Sequence, residues 1–303
     1  MNEAFVQYLK EFIDEKNILP DEPMAKHTTF RTGGKADALI RVSDAEQLKK
    51  LISALNKVEY PFYVVGNGSN ILVGDKGYAG VIINIGQDFD GITIDGNLVT
   101  AMAGARMTAV AKKAAEASLT GLEFAAGIPG TIGGGVMMNA GAYDGEMKQV
   151  VKTVSVLDLE GNELQLDNDT MEFGYRTSVL KRTKHIVTEV VFELQPGNRE
   201  EIIRKMEDFN QRRRDKQPLE YPSAGSTFKR PEGNFAGKLI MEAGLAGYRI
   251  GGASVSSKHC GFIINDNNAT SMEIKQLIDY VADVVYEKAG IKLEPEVIFL
   301  GDF

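Results

Sequence analysis

"GIPGTIGGGVMMNAGAY", Gly127–Tyr143, places six glycines in seventeen residues and carries no charged side chain. Each glycine loses more backbone freedom on folding than any other residue, so a cluster this dense needs a reason. Three readings stand: a flexible linker, a close-packing device, or a loop whose bare backbone approaches a ligand. Strongly patterned segments on both sides make the linker the weakest. Successive glycines let backbone N–H groups converge on an anion, and a helix starting near Thr131 adds its positive end. A structural turn followed by close helix packing fits the same pattern.

A second glycine segment, "VVGNGSNIL" (64–72), follows a strand-like run. Neither segment is a Walker A loop, because no Gly-Lys-Ser/Thr follows. Neither is a complete dinucleotide fingerprint: Gly66 and Gly68 are in place, but Ile71 stands where the third glycine belongs.

The rest of the chain sets bounds. Its 303 residues are 43% hydrophobic and 25% charged, an ordinary globular composition, long enough for about two domains of roughly 150 residues. The formal net charge of -8 gives no global basic footprint for nucleic acid. The single cysteine, Cys260, rules out a disulfide within the chain and a thiolate metal cluster. His27, His185 and His259 are scattered without metal-ligand spacing, so no metal site is expected. No signal-peptide pattern opens the chain, and no run reaches the ~20 apolar residues that span a bilayer. A cytoplasmic protein without membrane or nucleic-acid partners is the expectation.

Periodicity predicts the elements. Phe5, Leu9, Phe12 and Ile13 repeat at helical spacing within residues 1–16. "ADALIRV" (36–42) reads as a strand. The following helix carries Leu48, Leu51, Ile52 and Leu55 on one face, with Ser43 and Glu46 as its capping box. "FYVVGNGSNILV" reads as strand, turn, strand. "GVIINI", "GITID" and "LVTAMAG" are short strands, and "RMTAVAKKAAEASL" is a helix. "VVKTVSVLDLEG" and "HIVTEVVFEL" alternate as strands of one sheet. "QPGN" (195–198) marks a boundary, followed by a charged helix with Ile202, Ile203, Met206 and Phe209 inward. A further helix starts with Thr270 and Glu273 as a capping box and stops at Gly290. "EVIFLG" closes the chain as a strand. This order predicts an α+β fold with antiparallel or mixed sheets.

Seven motifs occur in order: "HTTFRTGGKADAL" (27–39), "VVGNGSNILV" (64–73), "AGIPGTIGGGVMMNAGAYDGE" (126–146), "FGYRTSVLK" (173–181), "PSAGSTFKRPEG" (222–233), "AGKLIMEAGLAGYRIGGASVSSKHCGFIIN" (236–265) and "EPEVIFLG" (294–301). Together they resemble the UDP-N-acetylenolpyruvoylglucosamine reductase (UDP-N-acetylmuramate dehydrogenase) family over nearly the whole chain. The resemblance implies a PCMH/vanillyl-alcohol-oxidase-type FAD-binding domain of two subdomains, 1–196, and a smaller α+β substrate-binding domain, 197–303. It implies non-covalent FAD, NADPH as reductant and an enolpyruvyl UDP-sugar as substrate. Gly66, Asn67, Gly68, Ser69 and Asn70 match flavin-binding segments, as do Gly127, Ile128, Pro129, Gly130, Gly133, Gly134, Asn139 and Gly141. After "GYR" the chain runs almost directly into the next strand, so it looks like the shorter subtype without a tyrosine-lid insertion. Arg230 stands where asparagine is common in the family.

The chemistry needs three functions from the protein. Hydride addition to the outer carbon of an enol ether conjugated to a carboxylate builds enolate charge, so the protein must place the alkene, stabilise that charge and deliver a proton. Arg176 is a fixed guanidinium able to grip a carboxylate with two bonds; outside its motif it reads as a surface ion pair. Glu296 could hydrogen-bond the enolate as an acid if burial raises its pKa; otherwise it is a solvated glutamate like Glu294. Ser226, by resemblance, gives the proton to the inner carbon; its bland reading is an ordinary turn serine. By motif, Tyr175 and Lys216 match substrate-contacting positions, and Lys229 joins the basic groups suited to a diphosphate. Arg212 and Arg213 read as a solvated helix face, and Cys260 as a small buried residue. Two other readings compete: a PCMH-type flavin oxidase or dehydrogenase with another substrate, and a flavin- or nucleotide-binding module without turnover.

Overall fold

The structure, a computed structural model, describes residues 3–303. The chain forms two compact units, each drawing on several segments. Unit 1 comprises residues 1–20, 38–67 and 80–212; unit 2 comprises 21–37, 68–79 and 213–303.

In unit 1 the largest sheet is fully antiparallel. Its five strands run in the spatial order Glu163–Asp167, Val151–Leu157, Ile186–Glu193, Leu98–Met102 and Ile92–Asp95. "VVKTVSV" and "IVTEVVFE" are strands of one sheet, as their alternation predicted, and lie side by side in it with Val154 opposite Val190. Val154, Val190, Val99 and Ala101 are fully buried and share one core with Ile132 and Val136. A second sheet places Phe62–Val65 parallel to Val81–Asn84, and Leu48, Leu51, Ile52 and Leu55 bury completely in that core.

Two helix starts differ from expectation. The helix Ala45–Lys57 is capped by Asp44, not Ser43: Asp44 is extended and its side chain accepts the N–H of Gln47. Gln47 returns the bond to the N–H of Ser43, so Glu46 is not the reciprocal partner. Ser and Asp cap by the same chemistry, and local spacing does not separate adjacent candidates. The first helix spans Glu3–Leu9. Beyond it, Glu11 and Phe12 donate to Tyr8 and Leu9, three residues back, a tightening common at helix ends. Leu9 and Ile13 still bury; Met1 and Asn2 lie outside the described residues.

Unit 2 packs the helices Ala236–Glu242 and Ser271–Ala289 with the antiparallel strands Ala253–Val255 and Ile263–Asn265. Its core includes Phe30, Leu72, Ile240, Ile274, Ile278 and Val281. Thr270 and Glu273 form the expected capping box, and Gly290 ends the helix in the left-handed region. Asp75 reinforces this start by accepting the N–H groups of Ser271 and Met272 at 2.8 and 2.9 Å. The strand Ile71–Val73 pairs in parallel with Ile298–Leu300. The "VVGNGSNILV" strands therefore exist as expected but do not form a hairpin.

Between Thr177 and the strand Ile186–Glu193 there is only one short helical turn, Leu180–Thr183. No long insertion follows "GYR". Among the described residues, no helix is long and apolar enough to cross a membrane.

Candidate active site

The glycine stretch resolves into distinct jobs. Thr131 caps the helix Ile132–Met137, its side chain accepting the N–H of Gly134. A Cβ on Gly133 would lie 3.2 Å from Ala103 Cβ, and one on Gly135 would lie 2.8 Å from Met147 Cε and 2.9 Å from Met107 Sδ. These two glycines permit close packing. Gly134, between them, is exposed, and its Cβ would meet only Thr131 Oγ1, at 3.6 Å.

The other glycine segment meets this one within unit 1. Asn67 Nδ2 donates to the Pro129 carbonyl at 2.6 Å. A Cβ on Gly66 would strike the Thr131 side chain. Asn84 fixes the turn from behind by donating to the Gly66 carbonyl at 2.8 Å. Among the described residues, no acceptor takes the backbone N–H of Gly66, Asn67, Gly130 or Thr131. Unpaired backbone donors beside an open glycine face suit an anionic group held by main chain, without lysine. The residues present fit the pyrophosphate of a dinucleotide.

Arg176 occupies the tip of a tight turn in the same unit. Gly174 and Thr177 exchange backbone hydrogen bonds at 3.0 and 3.3 Å, leaving Tyr175 and Arg176 between them. Arg176 has φ +55, a left-handed conformation uncommon for a residue with a long side chain. Its Nη2 donates to the Gly141 carbonyl at 3.2 Å, and its guanidinium lies 5.2 Å from the exposed Tyr175 ring centroid. Asn139 is buried beneath this turn, donating to the Gly174 carbonyl at 3.0 Å. The structure thus brings Asn139, Gly141, Tyr175 and Arg176 together.

Unit 2 assembles the remaining residues. Gly68 is left-handed at φ +59, close against the His27 carbonyl. Thr29 donates its N–H to the Gly68 carbonyl at 3.2 Å, while its hydroxyl oxygen is buried and has no hydrogen-bond partner among the described residues. Thr29 lies in the "HTTFRTGGKADAL" motif beside the Gly68–Asn70 turn, and a hydroxyl next to another threonine carries no sequence signal of its own. Asn70 Nδ2 donates to the Glu296 carbonyl at 3.1 Å. Glu296 in turn donates its N–H to the Thr227 carbonyl at 2.8 Å, one residue from Ser226. Glu296 is half-buried and Ser226 exposed.

Lys229 and Glu294 pair at 3.0 Å, and the Lys229 hydrogen bond holds the Glu294 carboxyl below its ordinary pKa. Lys216 ends the helix Arg199–Lys216 at an exposed position, and among the described residues it has no ion pair with this set. Cys260 is buried, which pushes its thiol pKa up. Burial pushes the His259 pKa down, and its Nδ1 accepts the Gly261 N–H at 3.1 Å, a structural use of the ring.

Two family models match the chain: an FAD binding domain over residues 36–167 and the C-terminal domain of UDP-N-acetylenolpyruvoylglucosamine reductase over 217–300. The chain is 49% identical to a UDP-N-acetylenolpyruvoylglucosamine reductase from Lachnoclostridium phytofermentans, covering 100% of this chain and 99% of that one. It is likewise 49% identical to one from Caldanaerobacter subterraneus, covering 100% of each. A crystal structure of the Thermus caldophilus reductase superposes with TM-score 0.80 at 36% identity, covering 92% of this chain and 97% of that one. An alkyldihydroxyacetonephosphate synthase matches 65% of this chain and 41% of its own at TM-score 0.51 and 15% identity, a likeness of fold alone.

Proposed function

We propose a mechanism from one premise: the chain belongs to the UDP-N-acetylenolpyruvoylglucosamine reductase family. It is an α+β, FAD-dependent oxidoreductase with a PCMH-type FAD-binding domain, using NADPH as reductant in peptidoglycan precursor synthesis. The reaction converts the enolpyruvyl ether of UDP-N-acetylglucosamine to the lactyl ether of UDP-N-acetylmuramate. We assign residues 1–196 to FAD binding, 197–303 to substrate binding and the reaction to the cytoplasm, in keeping with a single cysteine. The acidic net charge supports small-molecule partners over nucleic acid.

The main-chain donors of Gly66, Asn67, Gly130 and Thr131, with the open face of Gly134, would hold the FAD pyrophosphate. Gly68, Ser69, Asn70, Gly127, Ile128, Pro129 and Gly133 shape the two loops. FAD held by these residues would supply the reducing equivalents of NADPH to the outer alkene carbon as hydride.

The protein's own groups do the rest. Arg176 grips the substrate carboxylate, where negative charge builds as the enolate forms; a fixed guanidinium there is worth several kcal/mol. Glu296 hydrogen-bonds the developing enolate, and Ser226 delivers a proton to the inner carbon. Tyr175, Lys216 and Lys229 contact the UDP-sugar. The observation that supports this reading is the Gly174–Thr177 turn, which sets Arg176 at its tip with Tyr175 exposed beside it and Nη2 on the Gly141 carbonyl of the glycine stretch.

The test is rapid-mixing kinetics on Arg176→Ala. Flavin reduction by NADPH is expected to proceed normally, while reduction of the enolpyruvyl UDP-sugar slows by about two to three orders of magnitude. Unchanged substrate reduction removes Arg176 from the mechanism.

A further inference from the structure

Asn139 is 1% exposed and sits at φ +42, a conformation asparagine adopts more readily than most residues. Its side-chain donors are both engaged within the protein. Nδ2 donates to the Gly174 carbonyl at 3.0 Å and to Glu146 Oε2 at 3.1 Å. Oδ1 accepts the Lys148 N–H at 2.9 Å. A carboxamide has two N–H donors, and neither is left for a cofactor.

The same network explains the Arg176 turn. Gly174 is its first residue, and Thr177 closes it. Ser178, one residue later, donates to the Met137 carbonyl at 2.9 Å, so the turn is pinned on both sides to the segment around Asn139. The guanidinium of Arg176 rests on the Gly141 carbonyl, two residues past Asn139. One buried amide therefore holds both the backbone that carries Arg176 and the loop that orients its side chain.

We propose that Asn139 is a positioning residue for Arg176, its carboxamide locking Gly174 and the 139–148 loop in the arrangement that presents the guanidinium to the substrate carboxylate. This rests on the reading of Arg176 given above. Misplacing a charged group by about 1 Å costs up to ~10²-fold, so the loss is expected at the carboxylate and not elsewhere on the substrate.

The test uses the holoenzyme and two ligands in a titration calorimeter: UDP-N-acetylmuramate, which bears the lactyl carboxylate, and UDP-N-acetylglucosamine, which does not. Asn139→Gly deletes the side chain while accepting the positive φ. Asn139→Asp keeps the size but loses both donors, and carries the test if the glycine variant does not fold. Either variant is expected to weaken the acid about tenfold or more, and UDP-N-acetylglucosamine less than about twofold. In an Arg176→Ala background the Asn139 change is expected to add nothing, because residues acting as one unit are not additive. Equal weakening of both ligands, or additive losses, overturns the positioning role while leaving the Arg176 reading intact. If Arg176→Ala alone leaves binding of the acid unchanged, the Arg176 reading fails and this inference falls with it.

Discussion

The Thr227 carbonyl accepts the backbone N–H of Glu296 at 2.8 Å, so the residue after Ser226 is tied directly to Glu296. Thr227 itself is fully buried, and its hydroxyl oxygen accepts the Ile263 N–H at 2.9 Å. Thr227→Val keeps the shape but leaves that buried N–H without an acceptor, a cost of about 1–3 kcal/mol. Thr227→Ser keeps the acceptor and loses one buried methyl, about 1 kcal/mol. Urea unfolding is expected to rank valine below serine. The reverse order would show that methyl packing, not the hydrogen bond, anchors this segment.

Ser226 differs from its neighbour because it is exposed and its hydroxyl makes no hydrogen bond among the described residues. Ser226→Ala is therefore expected to change stability by less than about 0.5 kcal/mol. Its proposed role predicts a divided kinetic effect: flavin reduction by NADPH unchanged, substrate reduction slowed about 10²–10⁴-fold. Stopped-flow traces with both half-reactions slowed equally count against proton donation.

Legibility in the sequence followed the range of the physics. The stripe Leu48, Leu51, Ile52, Leu55 and the box Thr270/Glu273 were readable because each depends on residues within one or two helical turns. The cap at Asp44 in place of Ser43 was not, since adjacent polar residues satisfy the same local pattern. "FYVVGNGSNILV" revealed its strands but not their partners, because Ile71 pairs with Ile298, far along the chain. At the site, motif order pointed to Arg176, Ser226 and Glu296, but Asn139 was expected only as a cofactor contact. Its use beneath the Arg176 turn depends on Gly174, thirty-five positions on, and no local spacing encodes that.

Asp266 offers a pH-dependent check on unit 2. It binds Arg249 through two contacts of 2.7 Å and accepts a bond from Ser254 at 3.1 Å. The Arg249 hydrogen bond is the main reason its carboxyl titrates below the ordinary value, about 3.9. A carboxylate with a depressed folded pKa adds stability above its unfolded pKa and loses it as pH falls through the folded one. Asp266→Asn is expected to be less stable than the wild type near pH 6, with the gap shrinking below about pH 4. Chemical denaturation at both pH values measures this. A gap that stays constant shows the ion pair contributes no linked protonation.

Gly134 and Gly66 separate the two meanings of glycine in the loops. Gly66→Ala drives a methyl into Thr131, so protein stability should fall, by about 1–3 kcal/mol, and FAD affinity with it. Gly134→Ala meets nothing closer among the described residues than Thr131 Oγ1 at 3.6 Å. It also replaces a glycine inside a helix, which favours the folded apoprotein by up to ~1 kcal/mol. If the exposed face of Gly134 lies against the cofactor, this variant is stable yet binds FAD about tenfold or more weakly, a loss of at least ~1.4 kcal/mol. Thermal unfolding of the apoprotein and flavin-quenching titration measure the two quantities separately. An alanine variant with undiminished FAD affinity places Gly134 away from the cofactor and leaves the anion site to Gly66, Asn67, Gly130 and Thr131.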